Sequence, residues 1–457
     1  MLKIVMRAFV LSLLLVSLAA GAEAPNESKS NRDIAEVVKE ISAKNIEAID
    51  RKLVSFGTRH TLSDATSETR GIGAARRWIQ GEFERYSKES GGRLQVTMDE
   101  FTQQPVPRVP QPAQLVNVVA TLPGSQPESR DRIYVVSGHY DSRVTDIMNA
   151  TADAPGANDD GSGVSAVMEM ARVMSKHNWD ATIVFMAVPG EEQGLLGATH
   201  WAQMAKEKNW NVAGMLDNDI IGSSRGDDGT IDNKHVRLFA EGVPALKEPM
   251  SEELRTRVQT GGENDSTARE LARFIKTETE KYVPGFGVNI VYRRDRYLRG
   301  GDHSPFLDAG YPAVRFTEPN EDFRHQHQDL REEDGVKIGD LPEFCDWDYI
   351  AQVARVNAAA LGALADAPAP PQEVKVQTKE LTNSTTLQWQ ANKEPDLAGY
   401  EIVWRDTTAP LWEHSQKVGN VTQFTFPKLS KDNVLFGVCA LDKDGNVSPA
   451  VYPAPLR

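Results

Sequence analysis

The sequence predicts an α/β protein with a mixed, mostly parallel central sheet flanked by helices, followed by a C-terminal β-sandwich. Three observations carry this expectation. Apolar runs at 133–136 and 182–188 bracket the stretch 162–177, in which Val164, Val167, Met168, Ala171 and Met174 recur at helical spacing. Such a strand, helix, strand order belongs to a parallel sheet covered by helices. Beyond the Ala- and Pro-rich segment 365–371 the helical periodicity stops, and short alternating strands follow.

In chain order, Lys3 and Arg7 precede an apolar run over 8–20, and the small residues Ala20, Gly21 and Ala22 follow it. This is the layout of a secretory signal peptide over 1–22, so the mature chain is expected to begin near Glu23 and to be exported, to a periplasm or outside the cell. Apolar residues Ile34, Val37, Val38 and Ile41 mark a first helix, and a second is expected over 71–86. A strand at 94–98 leads to a Pro-rich loop at 104–112. Further strands are expected at 215–221 and 313–317, and a helix ending near Leu364 closes a domain spanning 23–365. The remainder, 366–457, is a linker and a sandwich. In it, Trp389, the run Tyr400-Glu401-Ile402 and the closing segment 440–448 resemble fibronectin type III domains.

Composition narrows the function classes. The 457 residues are 40% hydrophobic and 25% charged, without a tract long and apolar enough to span a membrane. A formal net charge of −14 argues against nucleic acid or an anionic membrane as partner. The two cysteines, Cys345 and Cys439, fall in different predicted domains and are expected to be free thiols.

The candidate chemistry gathers near predicted strand ends, where open parallel sheets bind ligands. After the strand at 133–136 comes Gly138-His139-Tyr140-Asp141-Ser142, a spacing that suits an imidazole ligand held by a neighbouring carboxylate. Asn158-Asp159-Asp160-Gly161-Ser162-Gly163 opens the next helix; such residues also serve as caps and turns, but adjacent carboxylates become favourable around a divalent cation. Glu191 and Glu192 emerge from the apolar strand at 182–188, where one can bind a metal while the other takes a proton from water. Asp217 and Asp219 lie on one face of an apolar strand, and burial without a partner would be costly. Finally, His303, His325 and His327 fall within a short stretch that also holds Asp329.

Taken together, His, Asp, Glu-Glu, Asp and His in this order offer the nitrogen and oxygen ligands typical of zinc. The order closely resembles metallopeptidase family 28, the dizinc aminopeptidases, over about residues 45–364, including the entry segment 53–61. The Asp159-Asp160 motif is one spacer shorter than the family form. The resemblance implies two zinc ions: His139 and Asp219 on one, Glu192 and a late His on the other, and Asp159 bridging. It makes Glu191 the general base and Asp141 the residue orienting His139, and it implies a cis Asp159–Asp160 peptide. Spacing to Asp329 favours His325 over His327 as the late ligand. His303 matches a segment lining the substrate pocket, and Tyr297 is a candidate for polarising the carbonyl. The expected reaction is removal of N-terminal residues from peptides with a free amine. A carboxypeptidase, a glutaminyl cyclase or an inactive binding relative are the alternatives. The sandwich is either a stabilising appendage or a module for cell-wall or protein contacts.

Overall fold

The structure, a computed structural model, describes residues 29–244 and 249–456, so the expected signal peptide lies outside the described residues. An eight-stranded mixed sheet organises the larger part of the chain. Its strands are β1 (Gln95–Gln103), β2 (Ala113–Leu122), β3 (Arg132–His139), β4 (Thr182–Val188), β5 (Asn211–Asn218), β6 (His235–Ala240), β7 (Gly287–Val291) and β8 (Ala313–Thr317), in the order β1-β2-β4-β3-β5-β8-β6-β7. The pairs β3/β4, β3/β5, β5/β8 and β6/β7 are parallel, whereas β1/β2, β2/β4 and β6/β8 are antiparallel. The centre of the sheet therefore has the expected parallel character, and the antiparallel pairs flank it.

Alternation along the central strands explains the two apolar layers. Tyr134, Val136, Ile183, Phe185 and Ala187 pack into one core with helices α1 (Lys29–Glu40), α2 (Ala43–Val54), α3 (Gly71–Glu89) and α4 (Gly163–Met174). Their neighbours Val135, Val184, Met186 and Val188 face the other way, against Trp201 of α5 (Leu196–Glu207). Every residue of β4 is buried, which is why its sequence, Thr-Ile-Val-Phe-Met-Ala-Val, is apolar throughout rather than alternating. Nearly all of α4 is buried as well, because it lies between the sheet and the last helix of this part, Trp347–Asp366. That helix is capped by Asp346, whose side chain accepts from the Tyr349 amide.

The chain then passes to two smaller sheets. One contains the strands Lys375–Gln377, Thr385–Gln388, Gln423–Phe426 and Ala454–Leu456; the other contains Leu397–Asp406, His414–Gly419 and Val434–Asp442. Leu387, Trp389, Tyr400, Ile402, Phe436 and Val438 form the core they share. The segment expected to be a linker is packed rather than loose: Ala365 and Ala367 are buried, and Arg132 donates to the Ala367 carbonyl. Cys345 and Cys439 are both free. No helix among the described residues is long and apolar enough to cross a membrane.

Candidate metal centre

The parallel strands deliver their C-terminal ends to one edge, and the chemistry collects there. His139 is the last residue of β3 and pairs in register with Val188, the last of β4, so the turn carrying Glu191 and Glu192 begins beside it. Strand β5 ends at Asn218, earlier than the expected 221, which places Asp219 beyond the sheet. Asp159 lies in the tight turn that opens α4, and His327 lies in the loop after β8.

These side chains form two sets sharing one member. The ligand atoms of His139, Asp159 and Asp219 lie within 4.8 Å of one another, as do those of Asp159, Glu192 and His327. One Asp159 oxygen is 3.1 Å from His139 Nε2, and the other is 2.8 Å from His327 Nε2. His327 Nε2 is also 2.8 Å from Glu192 Oε1, and His139 Nε2 is 3.9 Å from Asp219. Despite this proximity, His139 Nε2 and Glu192 Oε1 are buried without a properly directed hydrogen bond. Buried polar atoms that converge without bonding one another fit a shared cation, and imidazole with carboxylate is a zinc donor set.

Supporting contacts fix each of these groups. Asp141 accepts from Thr61 Oγ1 at 3.0 Å and from the Glu191 and Glu192 amides at 3.3 and 3.2 Å, while its carboxylate is 3.5 Å from His139 Nδ1. It thereby ties the glutamate turn to the histidine. Asp160 accepts from the His139 amide at 2.9 Å, and Asp340 accepts from the Asn158 and Asp159 amides at 2.7 and 2.8 Å. Arg315 is fully buried, 3.1 Å from Asp219 and 2.7 Å from Asp295. The Asp159–Asp160 peptide is cis, and so is Asp219–Ile220.

The electrostatics are those of a crowded anionic pocket. Burial, reinforced by Asp219, Glu192 and Asp302, holds the Glu191 carboxyl well above the usual range. Burial does the same to Asp160, and it pushes Asp219 to about 6 against the pull of Arg315. Burial opposes charge on His327, but Glu192 and Asp159 outweigh it and raise this imidazole to about 10. Burial is thus the first cause for the three carboxyls and neighbouring carboxylates the cause for His327, and a divalent cation among them would favour the charged carboxylates and the neutral imidazole.

Two sequence expectations are corrected. His325 is not at the centre: its ring stacks on Phe344 with centroids 3.6 Å apart, and its Nδ1 is 3.6 Å from Asp322. The loop turns between the two histidines, with His327 in the left-handed region at φ 54°, and only His327 faces Asp159 and Glu192. His303 does not line the pocket either. It is completely buried, with Nε2 2.9 Å from the Arg294 carbonyl and Nδ1 3.4 Å from Asp217. Asp217 itself is turned to Ser137 and His303, away from the two ligand sets. Tyr297 is 82% exposed on the rim.

Sequence reasoning passed over Arg143, Asp340 and Arg315. Arg143 Nε donates to Glu192 Oε2 at 2.8 Å, and its Nη2 is 2.7 Å from His327 Nδ1. A guanidinium inside the apolar strand Ala313-Val314-Arg315-Phe316-Thr317 was a readable signal; Arg143 and Asp340 carried none.

A protein of Leptosphaeria maculans named a probable zinc metalloprotease is 52% identical over 423 residues, covering 93% of this chain and 97% of that protein. The model of peptidase family M28 matches residues 117–335. The chain belongs to peptidase family M28. As zinc metalloproteases of this family go, it keeps the fold far beyond sequence likeness: LapB of Legionella pneumophila superimposes with a TM-score of 0.54 at 18% identity, over 75% of this chain and 77% of that one. LapA of the same organism gives 0.52 at 21%, over 73% and 76%. The M28 match spans the region that carries His139, Asp159, Glu191, Glu192, Asp219 and His327.

Proposed function

We propose that this M28 protein is an exported dizinc aminopeptidase that removes N-terminal residues from peptides. The observation that carries the reading is the pair of ligand sets joined through Asp159, with Glu191 lining the same cleft. His139, Asp159 and Asp219 would hold one zinc ion, and Asp159, Glu192 and His327 a second. Bound zinc supplies Lewis acidity, lowering the pKa of water and polarising a carbonyl.

The protein's own groups do the rest. Glu191 borders a cleft of 290 Å³ together with Asp159, Glu192, Asp219 and His327, within reach of a substrate placed between them. It accepts the proton of the attacking water and returns it to the leaving amine, so no covalent intermediate is needed. Asp141 holds the Glu191 and Glu192 amides and the His139 ring in one frame, which fixes the base relative to the ligands. A free α-amine would be received beside the ligand sets, where bound zinc and the cleft's carboxylates offer it partners, and this favours cutting from the amino end. Export rests on the layout of residues 1–22.

The test is hydrolysis of aminoacyl-nitroanilides against amino-blocked peptides, with chelator and with zinc restored. Cleavage of free-amine substrates alone, lost to chelator and recovered with zinc, supports the reading. Cleavage of blocked peptides in preference to free ones overturns it.

A further inference from the structure

The rim of the cleft carries a charge opposite to that of the molecule. The chain has a net charge of −14, yet Arg108, Arg143, Arg296 and Arg299 all border the cleft that holds Glu191 and the ligand sets. A second cleft of 340 Å³ adjoins the first, with Arg296, Arg299 and His327 lining both, and the exposed rings of Tyr297 and Phe323 line its far part.

The four guanidiniums are not equivalent. Arg108 donates to the Glu192 carbonyl at 2.9 Å, and Arg143 is fixed between Glu192 and His327. Arg296 meets Glu321 at 2.6 Å, a carboxylate that Arg237 also holds at 2.7 Å, and its Nε lies 3.6 Å from Asp295, an ion pair without a hydrogen bond. Arg299 is exposed, and no side-chain partner faces it among the described residues. Two divalent ions would offset the carboxylates of Asp159, Glu191, Glu192 and Asp219, and Glu321 and Asp295 face Arg296, which leaves Arg108, Arg143 and Arg299 as the net charge of the mouth. A planar guanidinium free of protein partners matches a carboxylate in two parallel hydrogen bonds. A positive mouth on an anionic protein also concentrates anionic substrates locally.

We propose that Arg299, with Arg296 beside it, is a specificity determinant that selects substrates carrying a carboxylate on the His327 side of the cleft. That carboxylate is the free C-terminus of a short peptide or an acidic side chain next to the cut. The inference rests on the peptidase reading for its substrate class, and its test separates the two.

Zinc-loaded full-length protein is assayed on Leu-Ala, Leu-Ala-amide and Leu-Glu-amide, and on N-acetyl-Leu-Ala with its amide. In parallel, binding of a reduced-bond Leu-Ala analogue, as acid and as amide, is measured by calorimetry, which reads recognition without turnover. The free acid is expected to exceed the amide about tenfold in kcat/KM and in affinity, the scale of one charge-assisted contact. The acid-to-amide ratio should fall towards one in Arg299→Gln and lie in between in Arg299→Lys, with Arg296→Gln as a second variant. Preference for Leu-Ala alone assigns the site to the C-terminus; an equal preference for Leu-Glu-amide assigns it to an acidic side chain. Turnover of the N-acetylated acid over its amide overturns the aminopeptidase reading while supporting carboxylate selection. Equal binding of acid and amide, or a ratio unchanged in Arg299→Gln, overturns the inference.

Discussion

Two clusters of buried charge in this molecule invite comparison, because one is closed and the other is left open. Where the helix Thr267–Tyr282 meets the C-terminal sheets, Asp265 accepts from Arg405 at 2.7 and 3.0 Å and from Arg273 at 2.9 Å. Glu270 accepts from Arg273 and, at 2.9 Å, from the indole of Trp412. Each carboxylate there has a cation or a donor of its own. At the strand ends, by contrast, Asp159, Asp160, Glu191, Glu192 and Asp219 crowd together, and His139 Nε2 and Glu192 Oε1 go without hydrogen bonds. The first cluster spends its charges on joining two parts of the chain. The second has cations too, Arg143 on Glu192 and Arg315 on Asp219, yet leaves imidazole and carboxylate ligand atoms converging without hydrogen bonds, and those unmet atoms distinguish a site from a scaffold.

The largest effect that tests this contrast is expected at Glu191. Glu191→Gln should lower kcat by about a thousandfold, within the range for a positioned proton-transfer group, with zinc content unchanged. Retained turnover, measured alongside metal content by mass spectrometry, would remove Glu191 from the role. In the closed cluster the matching experiment is Asp265→Ala, which strands Arg273 and Arg405. It should destabilise the fold by about 3 kcal/mol or more, read by urea denaturation, because an uncompensated buried charge remains. Its zinc stoichiometry should stay at the wild-type value once folded; loss of zinc would mean that the two clusters are energetically connected.

The neighbouring histidines sharpen the boundary of the open cluster. On the proposed dizinc reading, His327→Ala should lose one of two zinc equivalents, whereas His325→Ala should keep both and lose only its stacking on Phe344. Equal zinc loss in the two variants would contradict the geometry.

The smallest effect concerns pH. Burial raises Glu270 to about 7 from its ordinary 4.5, even with Arg273 beside it. The folded state therefore binds this proton more tightly than the unfolded one. Stability from this group is complete below about 4.5 and declines as pH rises towards 7, then levels off. Denaturation curves between pH 5 and 8 should show a decline that Glu270→Gln makes shallower, the remainder belonging to Asp219 and Asp340, which burial raises to about 6 and about 7; an unchanged slope in that variant would assign the titration elsewhere.

Much of this protein was legible in its sequence. The apolar run at 182–188 and the helical spacing after Ser162 are local patterns, and β4 and α4 follow them closely. The order of His139, Asp159, Glu191, Glu192 and Asp219 was equally readable, because each sits at or just beyond a strand or, for Asp159, at the start of a helix, whose length its own residues set. Strand β2 was not anticipated, nor was it legible which pairs of the expected mixed sheet run antiparallel, since pairing direction depends on partners distant in the chain. The choice between His325 and His327 escaped for a related reason: a loop without periodicity gives no rule for which side chain points inward, and packing against Phe344 and Asp159 settles it.

What the sequence alone determined, then, is the set of elements and the kinds of ligand each one carries, because hydrophobic period and motif order are properties of neighbouring residues. Only the tertiary structure decided that Asp340 holds the Asp159 turn across 181 residues, that Arg143 reaches His327 across 184, and that the arginines meet at one mouth. Those contacts join segments whose separation along the chain carries no local signal, and they exist only once the sheet has brought its strand ends together.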